Sequence, residues 1–158
     1  MMKSAFMGKE NVAKGSFSEV VIDDDFIVMT YQNENEVVEM LEKDIDSSFI
    51  QFHFCLKGSC KFVFNQGNYG LDIKDEQSLL LYNPKQDLPI CVKSNPHSWL
   101  VSILISIKKF HGLFSQEADY ITFLSDDNKD KKYYNNGKIT PSMAIVLTQL
   151  IHYNLNAS

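Results

Sequence analysis

The chain has 158 residues, 44% of them apolar and eleven of them Phe, which suits one domain with a substantial core. Its formal net charge is −5 and its Lys and Arg residues are scattered, most of them near acids. That excludes the basic face by which a domain grips DNA through its phosphates. No stretch approaches the roughly eighteen uncharged apolar residues of a membrane helix, and the N-terminus lacks the apolar segment of a secretory leader.

Residues 1–17 are polar, with Gly8 and Gly15 and no periodicity, and read as a flexible lead-in. Val20–Ile22 and Phe26–Tyr31 are short apolar runs around the turn-prone triplet Asp23-Asp24-Asp25. Val37–Leu41 is a weaker run that ends in charges.

Ser48–Asn65 carries the clearest pattern. Ile50, Phe52, Phe54 and Leu56 alternate with Gln51, His53, Cys55 and Lys57, the period of two that marks a strand. After Gly58, the residues Cys60, Phe62 and Phe64 alternate with their neighbours. Gln66-Gly67-Asn68 supplies a turn, and Tyr69, Leu71 and Ile73 alternate back, predicting a hairpin. Ser78–Tyr82 and Leu88–Val92 are further short strands, the first closed by Asn83-Pro84. From Trp99 to Ile107 the alternation resumes. Closely spaced short strands predict a barrel or sandwich.

Beyond Ile107 the pattern changes. Ile107, Phe110, Leu113 and Phe114 fit helical spacing, and Asp126–Tyr134 reads as a solvated charged loop. Thr140-Pro141 opens a further helix, with Met143, Val146, Leu147, Leu150 and Ile151 on one stripe. No stop signal ends that helix, so the reading expects the chain to continue past Ser158.

Three residues, Cys55, Cys60 and Cys91, are the cysteines. Their odd number and spacing argue against a disulfide framework or zinc knuckle and predict buried free thiols in a reducing cytoplasm. Gln51, His53, Cys55 and Lys57 share one strand face, because residues two apart point the same way. His53 and Cys55 could ligate a transition metal only with further partners, and His97 and His111 are the candidates by type. A cysteine nucleophile has no local signature, and Gly67-Asn68-Tyr69-Gly70 joins two strands rather than opening a helix as a phosphate loop does. A mixed polar and apolar lining is how a barrel holds one small ligand.

The run FIQFHFCLKGSCKFVFNQGNYGLDIKDEQSLLLYNP at 49–84 resembles the cupin-type sensor domain of AraC-family transcription regulators, and within them the PchR-like, siderophore-regulator branch. The likeness lies in Leu56-Lys57-Gly58, the aromatic hairpin 62–69 and Leu79–Pro84, and it continues through Trp99–Phe110, Phe114-Ser115-Gln116 and Asn128–Tyr133. It implies a cytoplasmic, non-enzymatic chain in three parts: the lead-in 1–17, a cupin-like jelly-roll barrel at 18–107, and a helical extension at 108–158 ahead of a DNA-binding region. It also implies a small-molecule effector, a homodimer, DNA contact only through that further region, and no cofactor. The residues expected to line the pocket are Gln51, His53, Cys55, Lys57, Tyr82 and Trp99. Met143, Val146, Leu147, Leu150 and Ile151 are expected to dimerise. Metal-binding cupins carry His-x-His on one strand and a later His after a proline–glycine turn. Here His53-x-Cys55 stands in the first place, and Lys85-Gln86-Asp87-Leu88-Pro89 follows Pro84 without histidine. A metal-dependent cupin enzyme and a ligand-free dimerisation module are the alternatives.

Overall fold

The computed structural model describes residues 12–64, 67, 69–113, 133–140, 145 and 148. Among the described residues, eleven strands form two sheets. The strands are β1 (Val12–Lys14), β2 (Ser18–Asp23), β3 (Phe26–Gln32), β4 (Val38–Lys43), β5 (Phe49–Lys57) and β6 (Ser59–Phe64), then β7 (Tyr69–Lys74), β8 (Gln77–Tyr82), β9 (Ile90–Ser94), β10 (Trp99–Ser106) and β11 (Tyr133–Lys138). One helix, α1 (Ile107–Leu113), follows β10. The smaller sheet runs β1-β4-β9-β6-β7 and the larger runs β11-β8-β5-β10-β3-β2. The chain is a mainly β, cupin-like jelly roll.

Strand parity builds the core. Cys55, Leu79, Leu81, Leu100, Leu104 and Met29 on the larger sheet meet Leu41, Cys60, Phe62, Ile73, Ile90 and Val92 on the smaller. The opposite face of the larger sheet is also apolar. Ile50, Tyr82 and Ile105 pack there with Phe110 of α1, and Phe54 and Val101 pack with Ile139. Phe110 lies over Phe52, with ring centroids 6.2 Å apart and planes nearly parallel. β5 and β10 are therefore apolar on one face and mixed on the other.

Two joints hold the sheets in place. Asn33 is fully buried, and its amide donates to the carbonyls of Val37 and Ser94. Gly58, with φ of +79°, turns the chain from β5 in one sheet to β6 in the other. A Cβ at Gly58 would collide with Ser98, so the position needs both the left-handed backbone and the empty space of glycine.

Three expectations change. Residues 12–14 are not loose but pair in parallel with Val38–Met40. Residues 108–158 are not a purely helical extension: Tyr133–Lys138 pairs antiparallel with Gln77–Tyr82 and adds an edge strand to the larger sheet. Tyr133 and Tyr134 thus belong to a strand rather than to the charged loop. The rest of that loop, and the stripe Met143, Val146, Leu147, Leu150 and Ile151, lie outside the described residues. Ile145 and Thr148 are helical, and Ile145 is exposed. Among the described residues, no helix is long and apolar enough to cross a membrane.

Candidate functional site

The polar stripe of β5 faces the barrel interior at Gln51, His53 and Cys55, all fully buried. His53 pairs with Ser102 across β10 and with Leu79 across β8. Its Nδ1 lies 2.6 Å from Ser102 Oγ and its Nε2 lies 2.8 Å from Gln51 Oε1. Gln51 Nε2 in turn donates to the Leu88 carbonyl at 2.6 Å. The amide oxygen only accepts, so Nε2 carries the ring proton and the Ser102 hydroxyl donates to Nδ1. Burial pulls the His53 pKa down to about 3, so the ring is neutral. Phe62 packs against its face, with centroids 4.4 Å apart.

Both ring nitrogens are thus committed, which leaves no lone pair for a metal without breaking this chain of bonds. No group of three His, Cys, Asp or Glu side chains is placed to hold a metal ion among the described residues. His97 is exposed and meets Glu36 at 2.9 Å, and His111 is exposed on α1. Neither His97 nor His111 hydrogen-bonds to His53. Cys55 and Cys60 are buried neighbours, and their mutual hydrogen bond, with burial, pushes the Cys60 thiol well above its usual value.

The other three predicted pocket residues stand elsewhere. Along β5 and β10 the register steps from Leu100↔Cys55 to Trp99↔Lys57, so Leu56 is an extra residue in a bulge. The bulge breaks the parity and takes Lys57 out of the stripe. Its ammonium sits 5.2 Å over the Trp99 ring, outside the barrel. Trp99 packs with the outer cluster of Phe54 and Val101. Tyr82 packs with Ile50 and Ile105, also outside, because Leu81 and not Tyr82 is the inward partner of Gln51. The sequence could not fix these faces, since each depends on a cross-strand register.

Among the described residues, a cavity lies in a different place. A groove of about 750 Å³ crosses the outer face of the smaller sheet. Its floor is Met40, Glu42, Val63, Cys91 and Lys93, the residues of β4, β6 and β9 that alternate with the buried Leu41, Phe62 and Val92. Its rims are Phe64 and Tyr69 from the β6–β7 hairpin and Asn83 and Gln86–Pro89 between β8 and β9. Phe64 and Tyr69 form a tilted ring pair with centroids 6.1 Å apart, and Tyr69 is half exposed. Asp87 Oδ1 accepts from the Ser47 amide, which ties the loop rim to the β4–β5 connection. The volume falls within the range of small-molecule sites, and the lining mixes apolar, amide and charged groups. A partial signal existed in the sequence: Met40 and Cys91 are apolar residues on the nominally solvent-facing parity of their strands.

No protein-family model matches this chain, and no curated protein matches it in sequence. Solved structures do. Apo ToxT from Vibrio cholerae aligns with a TM-score of 0.49 at 16% identity, over 83% of this chain and 48% of that one. Wild-type ToxT with a bound unsaturated fatty acid aligns with a TM-score of 0.47 at 16% identity, over 82% and 47%. An uncharacterised conserved protein with a double-stranded β-helix domain from Klebsiella pneumoniae aligns with a TM-score of 0.43 at 10% identity, over 58% and 76%. The chain therefore spans about half the length of the ToxT chains it matches.

Proposed function

We propose that this chain is the effector-sensing domain of an AraC-type transcription regulator, and that it takes a small molecule in the groove of its smaller sheet rather than in the barrel interior. The observation that carries the reading is the groove itself: about 750 Å³, with apolar walls and a few charged and amide groups, within the usual range for small-ligand sites. The cupin-like strand order and the sequence resemblance from residue 48 onward support the regulator part of the reading. The siderophore-like character of the effector is what that resemblance implies. DNA contact belongs to a region outside these residues, in keeping with the acidic charge of this one.

The enzyme alternative finds no support in the donor set, since His53 is engaged at both nitrogens. Native mass spectrometry of the protein purified from cells tests the proposal. A co-purifying small molecule that Val63→Trp displaces and His53→Gln retains supports it. A molecule that stays bound in Val63→Trp and leaves in a folded His53→Gln variant places the site in the barrel and overturns it.

A further inference from the structure

The two sides of the groove differ in chemistry. Glu42 stands on its β4 side, and the Ser47 amide, just past the end of β4, holds the Asp87 side chain on that same side. The ring pair of Phe64 and Tyr69 stands on the opposite side, at the β6–β7 hairpin. β9 runs between β4 and β6, so the two sides are two strand spacings apart, roughly 10 Å at the backbone. Side chains reach in from both, and the span left between them is that of one aromatic ring on a short tether. The floor under that span is apolar at Val63 and Cys91.

Charge also varies along the groove. In the direction of β9, Asp87 comes first on the loop, then Cys91 opposite Glu42, then Lys93. Lys93 lies across from Met40 on β4 and from Lys61 on β6, so positive charge gathers at that far end. Among the described residues, no ion pair engages Glu42. Cys91 reports the balance in the middle. Burial first, and the Glu42 carboxylate next, raise its thiol above the ordinary value, against a smaller opposing pull from Lys93.

We infer that the groove selects an aromatic amine, with its ring against Phe64 and Tyr69 over the apolar floor and its ammonium held by the carboxylates of Glu42 and Asp87. The ring gains offset or edge contacts with a tilted aromatic pair, one member of which is half exposed. The ammonium gains charge-assisted hydrogen bonds. Lys93 sets the direction of binding, because it repels a cation from the far end. A carboxylate in place of the ammonium would meet two like charges. The inference rests on the groove being the effector site of the domain, and it names the class of effector.

The test is a calorimetric titration of the whole chain at neutral pH with phenethylamine and with phenylpropionate, its counterpart of opposite charge. Amide chemical shifts locate each probe. The expected result is one phenethylamine per chain, shifts at Val63, Tyr69 and Cys91, and binding about tenfold or more tighter than that of phenylpropionate. Glu42→Gln, folded by circular dichroism, should weaken the amine about fivefold or more and narrow the gap between the probes. Tyr69→Ala should weaken both probes alike. Amine affinity unchanged in Glu42→Gln overturns the inference. Phenylpropionate bound in the groove as tightly as the amine overturns it too, but leaves the sensor reading standing. If neither probe moves the groove amides, the inference fails and the groove loses support as the effector site.

Discussion

His53 donates its Nε2 proton to Gln51 Oε1 at 2.8 Å, two residues away on the same strand face, and this bond ties the interior stripe into the core. The residue that the sequence offers as the centre of a pocket is fully buried, neutral and hydrogen-bonded at both ring nitrogens.

The first consequence concerns pH. The folded-state pKa of His53 is depressed to about 3 from 6.5, so the unfolded chain binds this proton more readily. The stabilising contribution is fully present above about pH 6.5 and is lost as pH falls toward 3, at up to about 1.4 kcal/mol per pH unit from this group. Urea midpoints at pH 7 and pH 4.5 should differ clearly for the parent chain and by much less for His53→Gln. Equal pH dependence in the two would mean that His53 titrates normally.

Truncating the same residue should be costly. His53→Ala strands the Ser102 hydroxyl and the Gln51 amide oxygen in the core and leaves a void against Phe62, a loss of about 2–4 kcal/mol. A urea titration at pH 7 measures it. A loss below about 1 kcal/mol would contradict the assignment of the ring as a buried structural group.

Lys57 should report on Trp99 and not on the groove. Its ammonium lies over the indole, and Trp99 is the only tryptophan of the chain. Lys57→Met should shift the emission maximum or quantum yield of the protein and leave ligand affinity within twofold. A large loss of affinity with unchanged fluorescence would return Lys57 to the site.

Gly58→Ala should destabilise the chain by about 2 kcal/mol or more, because the left-handed backbone and the Ser98 side chain both oppose a Cβ. The same measurement on Gly67→Ala separates the two causes. Gly67 also has a positive φ, but a Cβ there would meet only Val63 Cγ1 at an ordinary 4.0 Å, so it should lose about 1–2 kcal/mol from backbone strain alone. Equal losses at the two positions would remove the steric part of the account.

The strands were legible because a period of two survives in Phe49–Lys57, Tyr69–Lys74 and Trp99–Ser106, each half of which faces a core. The inward stripe was legible as far as Cys55. It failed at Lys57 because one extra residue in a bulge reverses parity, and nothing in Leu56-Lys57-Gly58 marks that step. Tyr82 and Trp99 look like aromatic walls in any strand reading, but only the register against β5 tells which side they cover. β11 escaped for another reason. Tyr133–Lys138 combines two aromatics with Asn-Asn-Gly, a turn-like composition, and its strand state comes from pairing with β8 across fifty residues of sequence. The groove was least legible, since its floor draws one or two residues from each of three strands that are not consecutive in the chain.

The central claim is that the ligand site is the outer groove and not the barrel interior. The most direct measurement is an amide chemical-shift map of the isotopically labelled chain titrated with a small-fragment library. The account predicts that binding fragments move the amides of Met40, Val63, Cys91 and Lys93 together with Tyr69, while those of Gln51, His53 and Ser102 stay in place. Shifts concentrated at Gln51, His53 and Ser102, with the groove amides unmoved, would contradict it.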